Sequence, residues 1–185
     1  MKTTFSLFVL ASFLFFAYAS SSGIPIKSKF KKKQATYIST DQKMETTYFD
    51  IQVNDVKLLD RVDTGKELTS LKAVEGHDFL IFNVTFKNTD TESRLFDEGD
   101  IIVEHDGKEL KYEISETIFE EGWGSFFDQL NPLESKTTNL VYKIPSEIEG
   151  PIYWRPGRNT LNQQFKLGTA KELRALHSEE QQADL

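Results

Sequence analysis

The clearest pattern in the chain is the run from Leu80 to Lys87. Leu80, Phe82, Val84 and Phe86 fall on one side, and Ile81, Asn83, Thr85 and Lys87 on the other. Strand side chains alternate between faces, so this period of two predicts one face on a core and one toward water. Gly76 before the run and the polar cluster "NTDTE" after it supply the turn residues that bound it. Phe79 and Ile81 are apolar on the otherwise polar face, which implies a cover over the start of the strand.

The same alternation recurs along the chain. Phe49, Ile51 and Val53 share a face; Asn54-Asp55 marks a bulge or turn, after which Val56 and Leu58 resume. "DIIVEHDGKELKYEIS" predicts a hairpin, with a strand over 100–104, a turn at Asp106-Gly107 and a return strand with Leu110, Tyr112 and Ile114 inward. "EEGWGSFFDQLNPLES" is a long loop, because Pro132 excludes a central strand there. "TTNLVYKIP" places Leu140, Tyr142 and Ile144 on one face. "PIYWR" and "NQQFKLG" are two further short strands, separated by a Pro156-Gly157 turn. Seven or more short strands with 15 Phe predict an all-β, two-sheet antiparallel β-sandwich over residues 46–168. In the tail, 169–185, Thr169 and Glu172 form a T-x-x-E capping box, and Leu173 and Leu176 share a helix face. A short C-terminal helix, or a frayed tail, is expected there.

The first nineteen residues change the picture of where the protein works. Lys2, an apolar run and Ala17-Tyr18-Ala19 have the anatomy of a secretory signal, with cleavage before Ser20. An uncleaved anchor is the alternative. "KSKFKKK", Lys27 to Lys33, lies within a Ser- and Lys-rich lead over 20–45 and opposes easy export, since positive charge flanking an apolar segment tends to stay cytoplasmic. The signal anatomy outweighs it, and the expected location is extracytoplasmic, periplasmic or secreted. Loss of residues 1–19 leaves 21 basic against 29 acidic residues, a formal charge of −8. That surface repels phosphate backbones, so nucleic-acid binding by the body is not expected. Membrane contact is expected only through an uncleaved signal segment or the Lys27–Lys33 run. There is no cysteine, which removes a lipid anchor, disulfides, thiol catalysis and cysteine-zinc sites.

Little in the sequence points to catalysis. His77, His105 and His177 are isolated, whereas zinc sites pair His or Cys at short spacing. "NTDTESRLFDEG" imitates a calcium loop with Asn88, Asp90 and Glu92, but has Ser93 where the sharp-turn glycine belongs and Gly99 where the bidentate Glu belongs. Glu120 and Glu121 are adjacent and would point to opposite faces of a strand. Neither a nucleophile elbow nor a phosphate-binding glycine loop occurs. The expectation is a non-enzyme without cofactor or metal. Asn83-Val84-Thr85 satisfies the N-glycosylation pattern, but mid-strand it reads better as a polar and a β-branched residue on an outward face.

Three stretches together, "VNDVKLLDRV", "EGHDFLIFNVTFKNTDTE" followed by "DIIVEHDGKEL", and "LNPLESKTTNLVYKIP", resemble a bacterial family of unknown function. That family is immunoglobulin-like and is grouped with a secreted mycobacterial antigen and telokin-like domains. The resemblance spans about residues 47–168 and implies an immunoglobulin-like sandwich in an extracytoplasmic protein, with no catalytic residues to carry over. Two departures stand out: the lipid-attachment cysteine of many members is absent, and Leu133 stands where a Gly commonly follows the Pro.

The remaining candidates for function are aromatic and basic loops. Trp123 lies between two glycines in "EGWGSFF", with Phe126 beside it, and "YWRPGRN" sets Trp154 near Arg155 and Arg158. Trp, Tyr and Arg are favoured binding anchors, and loops at sandwich ends commonly carry recognition. The competing expectation is that Trp154 plugs the core and Trp123 closes one end. The sequence therefore predicts a binding or interaction module for a protein or glycan of the cell envelope. A structural envelope protein without its own ligand, or a hydrolase or inhibitor, are the alternatives.

Overall fold

The structure, a computed structural model, describes residues 35–63, 70–95, 97–113 and 129–183. They belong to the second of the two compact units into which the chain divides, 33–185; the first, 1–32, lies outside the described residues. In chain order the elements are β1 (Thr36–Ser39), β2 (Met44–Glu45), β3 (Phe49–Leu59), β4 (Arg61–Asp63), β5 (Ser70–Lys72), β6 (His77–Asn88), β7 (Arg94–Leu95), β8 (Asp100–His105), β9 (Lys108–Glu113), β10 (Gln129–Leu130), β11 (Ser135–Pro145), β12 (Pro151–Arg155), β13 (Gln163–Thr169) and α1 (Ala170–Ala183). One sheet has the order β11-β6-β3-β2 and the other β1-β13-β12-β8-β9; β4-β5 and β7-β10 are small ribbons. This is a two-sheet β-sandwich with a C-terminal helix, the architecture that the alternation predicts. Every pair is antiparallel among the described residues except β1 with β13, which is parallel.

Most inward residues read from the sequence form one core; Val56, Leu110 and Tyr112 are only partly buried against it, and Ile114 lies outside the described residues. Phe49, Ile51 and Val53 of β3, Leu80, Phe82, Val84 and Phe86 of β6, and Leu140, Tyr142 and Ile144 of β11 pack with Ile101 and Val103 of β8 and Phe165 and Leu167 of β13. The Val53-Asn54-Asp55 bulge is present and keeps Val56 and Leu58 in phase with Phe82 and Leu80. At the centre lies Trp154, fully buried, stacked on Phe165 with centroids 5.6 Å apart and tilted against Phe82 at 4.9 Å.

Phe79 and Ile81 do receive a cover. With Val141 and Leu59 they meet Val62 and Ala73, brought over the outer face around the β4-β5 ribbon, as a second, smaller core. Further along the same face Asn54 donates to Asn83 Oδ1 at 2.8 Å, Asn83 donates to Asn139 Oδ1 at 2.8 Å, and Thr85 and Thr137 share a hydrogen bond of 2.8 Å. Both ends of the Asn83 amide are thus engaged across three strands, which favours the strand-packing reading of the sequon over sugar attachment.

Two local sequences fold as their chemistry demands. Asp106 and Gly107 both have positive φ (50° and 70°), the requirement of a two-residue type I′ hairpin. The Thr169 hydroxyl accepts from Glu172 N at 3.2 Å while the Glu172 carboxylate accepts from Thr169 N at 3.2 Å, so the capping box is formed reciprocally. Ala170 and Leu173 anchor the helix to the core, and Arg174 bonds Asp78 and the Ile148 carbonyl.

Three expectations need revision. Strands β1 and β2 fall inside the stretch 20–45 read as lead: Met44 is fully buried, and a single apolar residue in a polar segment gives too weak a period to reveal this. Leu176, read as sharing a helix face with Leu173, is 58% exposed, whereas Ala170 and Leu173 in the first turn of α1 are buried. Gln129–Leu130, within the expected long loop, pairs with β7 in a two-residue ribbon too short to announce itself.

Candidate functional site

The end of the sandwich where β12 stops and β8 starts holds an open cleft of about 390 Å³. One wall is the segment Asp97–Asp100 and the other is Arg155–Thr160. Two core rings pin the first wall from beneath: Trp154 Nε1 donates to the Glu98 carbonyl at 2.6 Å, and the Tyr142 hydroxyl to the same oxygen at 2.8 Å. Burial pushes the Tyr142 hydroxyl well above its usual range, so it acts as a permanent donor here.

The walls meet closely at two glycines. Gly99 has φ +75°, and a Cβ there would lie 2.1 Å from the Arg155 carbonyl; one on Gly157 would lie 1.9 Å from Asp97 Cγ. Gly157 N donates across the gap to the Asp97 carbonyl at 3.3 Å. Asp97 Oδ1 accepts from Gly99 N at 3.0 Å and so shapes its own turn.

Charge in the cleft is mixed. Arg155 donates to Asp100 at 2.8 Å and Lys111 lies 3.0 Å from the other Asp100 oxygen. Burial pushes the Asp100 carboxyl up, but the bonds from Arg155 and Lys111 outweigh it and hold the group below its usual value. Arg158 at the rim is exposed, has φ +54°, and makes no ion pair or side-chain hydrogen bond among the described residues. Asn159 beside it is occupied in structure, donating to the Gln163 carbonyl at 2.7 Å and accepting from Leu161 N.

The sequence candidates therefore separate. Trp154 belongs to the core, not to a recognition loop: it lies on the inward phase of β12, and its only polar atom is satisfied by Glu98. Arg155 and Arg158 come together at the cleft. Trp123 and Phe126 lie outside the described residues, as do Glu120 and Glu121; the flanking Glu113 and Gln129 end β9 and open β10. Asp97 and Asp100, which the sequence did not single out as site residues, form the opposite wall. The signal for them was "DEGD", a glycine among acids that marks a turn but not what the turn faces.

The other candidate chemistry resolves into structure. Asn88 is buried and donates to the carbonyls of Glu92 and Leu130, and Asp90 and Glu92 are ion-paired to Arg94. The bond from Arg94 lowers the Asp90 carboxyl, and Arg94 also lies 4.4 Å over the Tyr48 ring. A guanidinium thus serves the carboxylates of the calcium-like stretch. Among the described residues no three His, Asp or Glu side chains are placed to share a metal ion. Glu98 is less well satisfied: like Gln163 Oε1, its Oε1 is buried without a hydrogen-bond partner among the described residues, and burial, with Asp97 adding to it, raises its carboxyl above the usual value.

The sequence profile of a domain of unknown function, DUF4352, matches residues 38–151. The chain belongs to this family. The DUF4352 match begins within β1, in keeping with β1 and β2 as parts of the sandwich, and stops before the Arg155–Thr160 wall. Among solved structures, an uncharacterized β-sandwich protein of Clostridium difficile 630 is similar at 18% identity and TM-score 0.53, over 76% of this chain and 99% of its own. A candidate lipoprotein of Bacillus subtilis is similar at 16% identity and TM-score 0.51, over 77% of this chain and 42% of its own. These likenesses carry the β-sandwich fold. The comparison with curated proteins gave no match.

Proposed function

We propose that this DUF4352 chain is a non-catalytic interaction module working outside the cytoplasm in the cell envelope. The sandwich is the scaffold and the loop-bearing end is the recognition surface, with Arg158 as its described anchor; Trp123 and Phe126, outside the described residues, are further contacts on the strength of the sequence alone. The immunoglobulin-like kinship with telokin-like domains and the secreted mycobacterial antigen is part of the same proposal. Location rests on the signal anatomy of residues 1–19; no helix among the described residues is long and apolar enough to cross a membrane. The Lys27–Lys33 run is an additional contact for an anionic surface.

The observation that carries recognition is Arg158. It is an exposed arginine at the rim of a cleft, held in a left-handed backbone conformation that disfavours any side chain, while Arg94, Arg155 and Arg174 are each closed by an aspartate. Affinity capture from the native envelope fraction, comparing wild type with Arg158→Gln and Trp123→Ala, tests it. A partner lost by these variants at unchanged melting temperature supports the module; equal capture by all three chains rejects this surface.

A further inference from the structure

We infer that the cleft between Asp97–Asp100 and Arg155–Thr160 takes a carboxylated sugar residue, a uronic acid of an envelope glycan, with Arg158 gripping the carboxylate. The inference rests on the proposed recognition role of that end and names its ligand. It starts from charge. The whole chain carries a formal −7, yet the cleft does not follow that sign. Asp100 is shared between Arg155 at 2.8 Å and Lys111 at 3.0 Å, so its charge is answered. Lys111 is itself shared with Glu113 at 3.4 Å, and the charges lining the cleft, Arg155 and Arg158 against Asp97 and Asp100, cancel, so the cleft is neutral inside an acidic protein. An anion meets less repulsion there than on the rest of the acidic surface.

The type of anion follows from donor geometry and from what else lines the cleft. Guanidinium presents a planar fork that matches a carboxylate with two parallel hydrogen bonds. Asp97 stands on the facing wall, with one oxygen spent on Gly99 N and the other without a bonding partner among the described residues. A free carboxylate oxygen accepts from sugar hydroxyls, and it repels a doubly charged phosphate more strongly than a singly charged carboxylate. The Thr160 hydroxyl, 3.1 Å from that of Thr47, adds a group able to donate or accept. The cleft lining mixes charged and hydroxyl groups with Pro156 and the backbones of Gly99 and Gly157, which suits a sugar ring with a hydroxylated edge and an apolar face. Its volume of about 390 Å³ falls in the lower part of the range for small-molecule sites.

Backbone conformation supplies the second line of support. Residues other than glycine, asparagine and aspartate seldom adopt φ near +54°, and in a Pro-Gly turn a glycine at position 158 would relieve the strain. An arginine there sacrifices stability for a side chain, as Leu133 does at φ +66°, and of the two Arg158 is the one that lines a cleft. It also provides a test in which stability and binding move in opposite directions.

The experiment is titration of the full chain with oligogalacturonate, followed by calorimetry and by amide chemical shifts, with the neutral galactose oligosaccharide as control. The expected result is binding of the acidic oligomer that weakens with salt, shifts centred on residues 97–100 and 155–160, and at least tenfold weaker binding of the neutral one. Arg158→Gly should weaken binding by about tenfold or more, the usual range for a charged hydrogen-bonding group, while its melting temperature rises. Arg158→Lys should retain part of the affinity, as a point charge without the fork. Equal affinity for the neutral oligomer, shifts elsewhere, or unchanged affinity in Arg158→Gly would each overturn the inference. Absence of oligogalacturonate binding beside retained Arg158-dependent envelope capture would overturn the ligand class alone and leave the interaction module standing.

Discussion

Trp154 and Arg158 are four residues apart, and the sequence offered both as anchors for a partner. The fold gives them opposite fates. Trp154 sits on the inward phase of β12, without solvent exposure, ringed by Phe82, Phe86 and Phe165. Arg158 follows the Pro156-Gly157 break, outside the strand, exposed and in a strained conformation. The same short segment thus supplies stability where the period of two continues and a surface where it stops. The link between them is mechanical: the Trp154 indole holds the Glu98 carbonyl, and with it the wall that Arg158 faces.

The largest expected effect lies at the first of these sites. Trp154→Ala should destabilise by about 3–5 kcal/mol in denaturant titration, the range for removing a fully buried aromatic side chain. A loss below about 1 kcal/mol would break the contrast by making Trp154 a surface residue. Phe82→Ala, which empties the neighbouring position, should cost a similar amount. Next comes the outer-face cluster. Ile81→Ala should cost about 2–4 kcal/mol, because the β4-β5 ribbon buries it to 8% exposure. A bare sheet face would lose far less.

Smaller effects of opposite sign are expected at strained turns. Leu133 is the third residue of the turn Asn131–Glu134, closed by Glu134 N donating to the Asn131 carbonyl at 3.1 Å, and it has φ +66°. Proline second and positive φ third define a type II turn, where glycine is preferred. Leu133→Gly should therefore stabilise by about 1 kcal/mol, as should Arg158→Gly, and thermal melts check both. No gain at either would mean that the side chains make compensating contacts.

The smallest effect is pH-dependent. The folded Glu98 carboxyl is raised by burial above the ordinary 4.5, so its ionisation opposes folding. Its favourable contribution is full below about pH 4.5 and is lost as pH rises through the folded value. Asp100 and Asp90, held low by their bases, slope the other way, adding stability above the ordinary carboxylate range that fades as pH falls. The difference between wild type and Glu98→Gln isolates the first slope. Stability curves that run parallel from pH 4 to 7 would show that Glu98 is solvated.

What was legible in the sequence was whatever repeats with period two or carries turn chemistry. The faces of β3, β6 and β11, the Asp106-Gly107 turn, the bulge at Asn54 and the Thr169 cap all follow from side-chain types. Phe79 and Ile81 even announced a cover without revealing that Val62 and Ala73 provide it. Short elements escaped because two to four residues establish no period: β1 is held by its parallel partner β13, and β2 by its pairing with β3 and the burial of Met44. The cleft was half legible. Arg155 and Arg158 stand out as basic residues beside Pro-Gly, but Asp97 and Asp100 join them only because β8 pairs with β12, a juxtaposition set by sheet order.

The division between core indole and surface arginine is tested most directly by fluorescence of Trp123→Phe, in which Trp154 is the sole indole. Folded protein should emit at short wavelength, resist iodide quenching, and shift to long wavelength with full quenching on unfolding. Emission at the solvent-exposed position in the folded protein, quenched as readily as free indole, would place Trp154 on the surface and contradict the division.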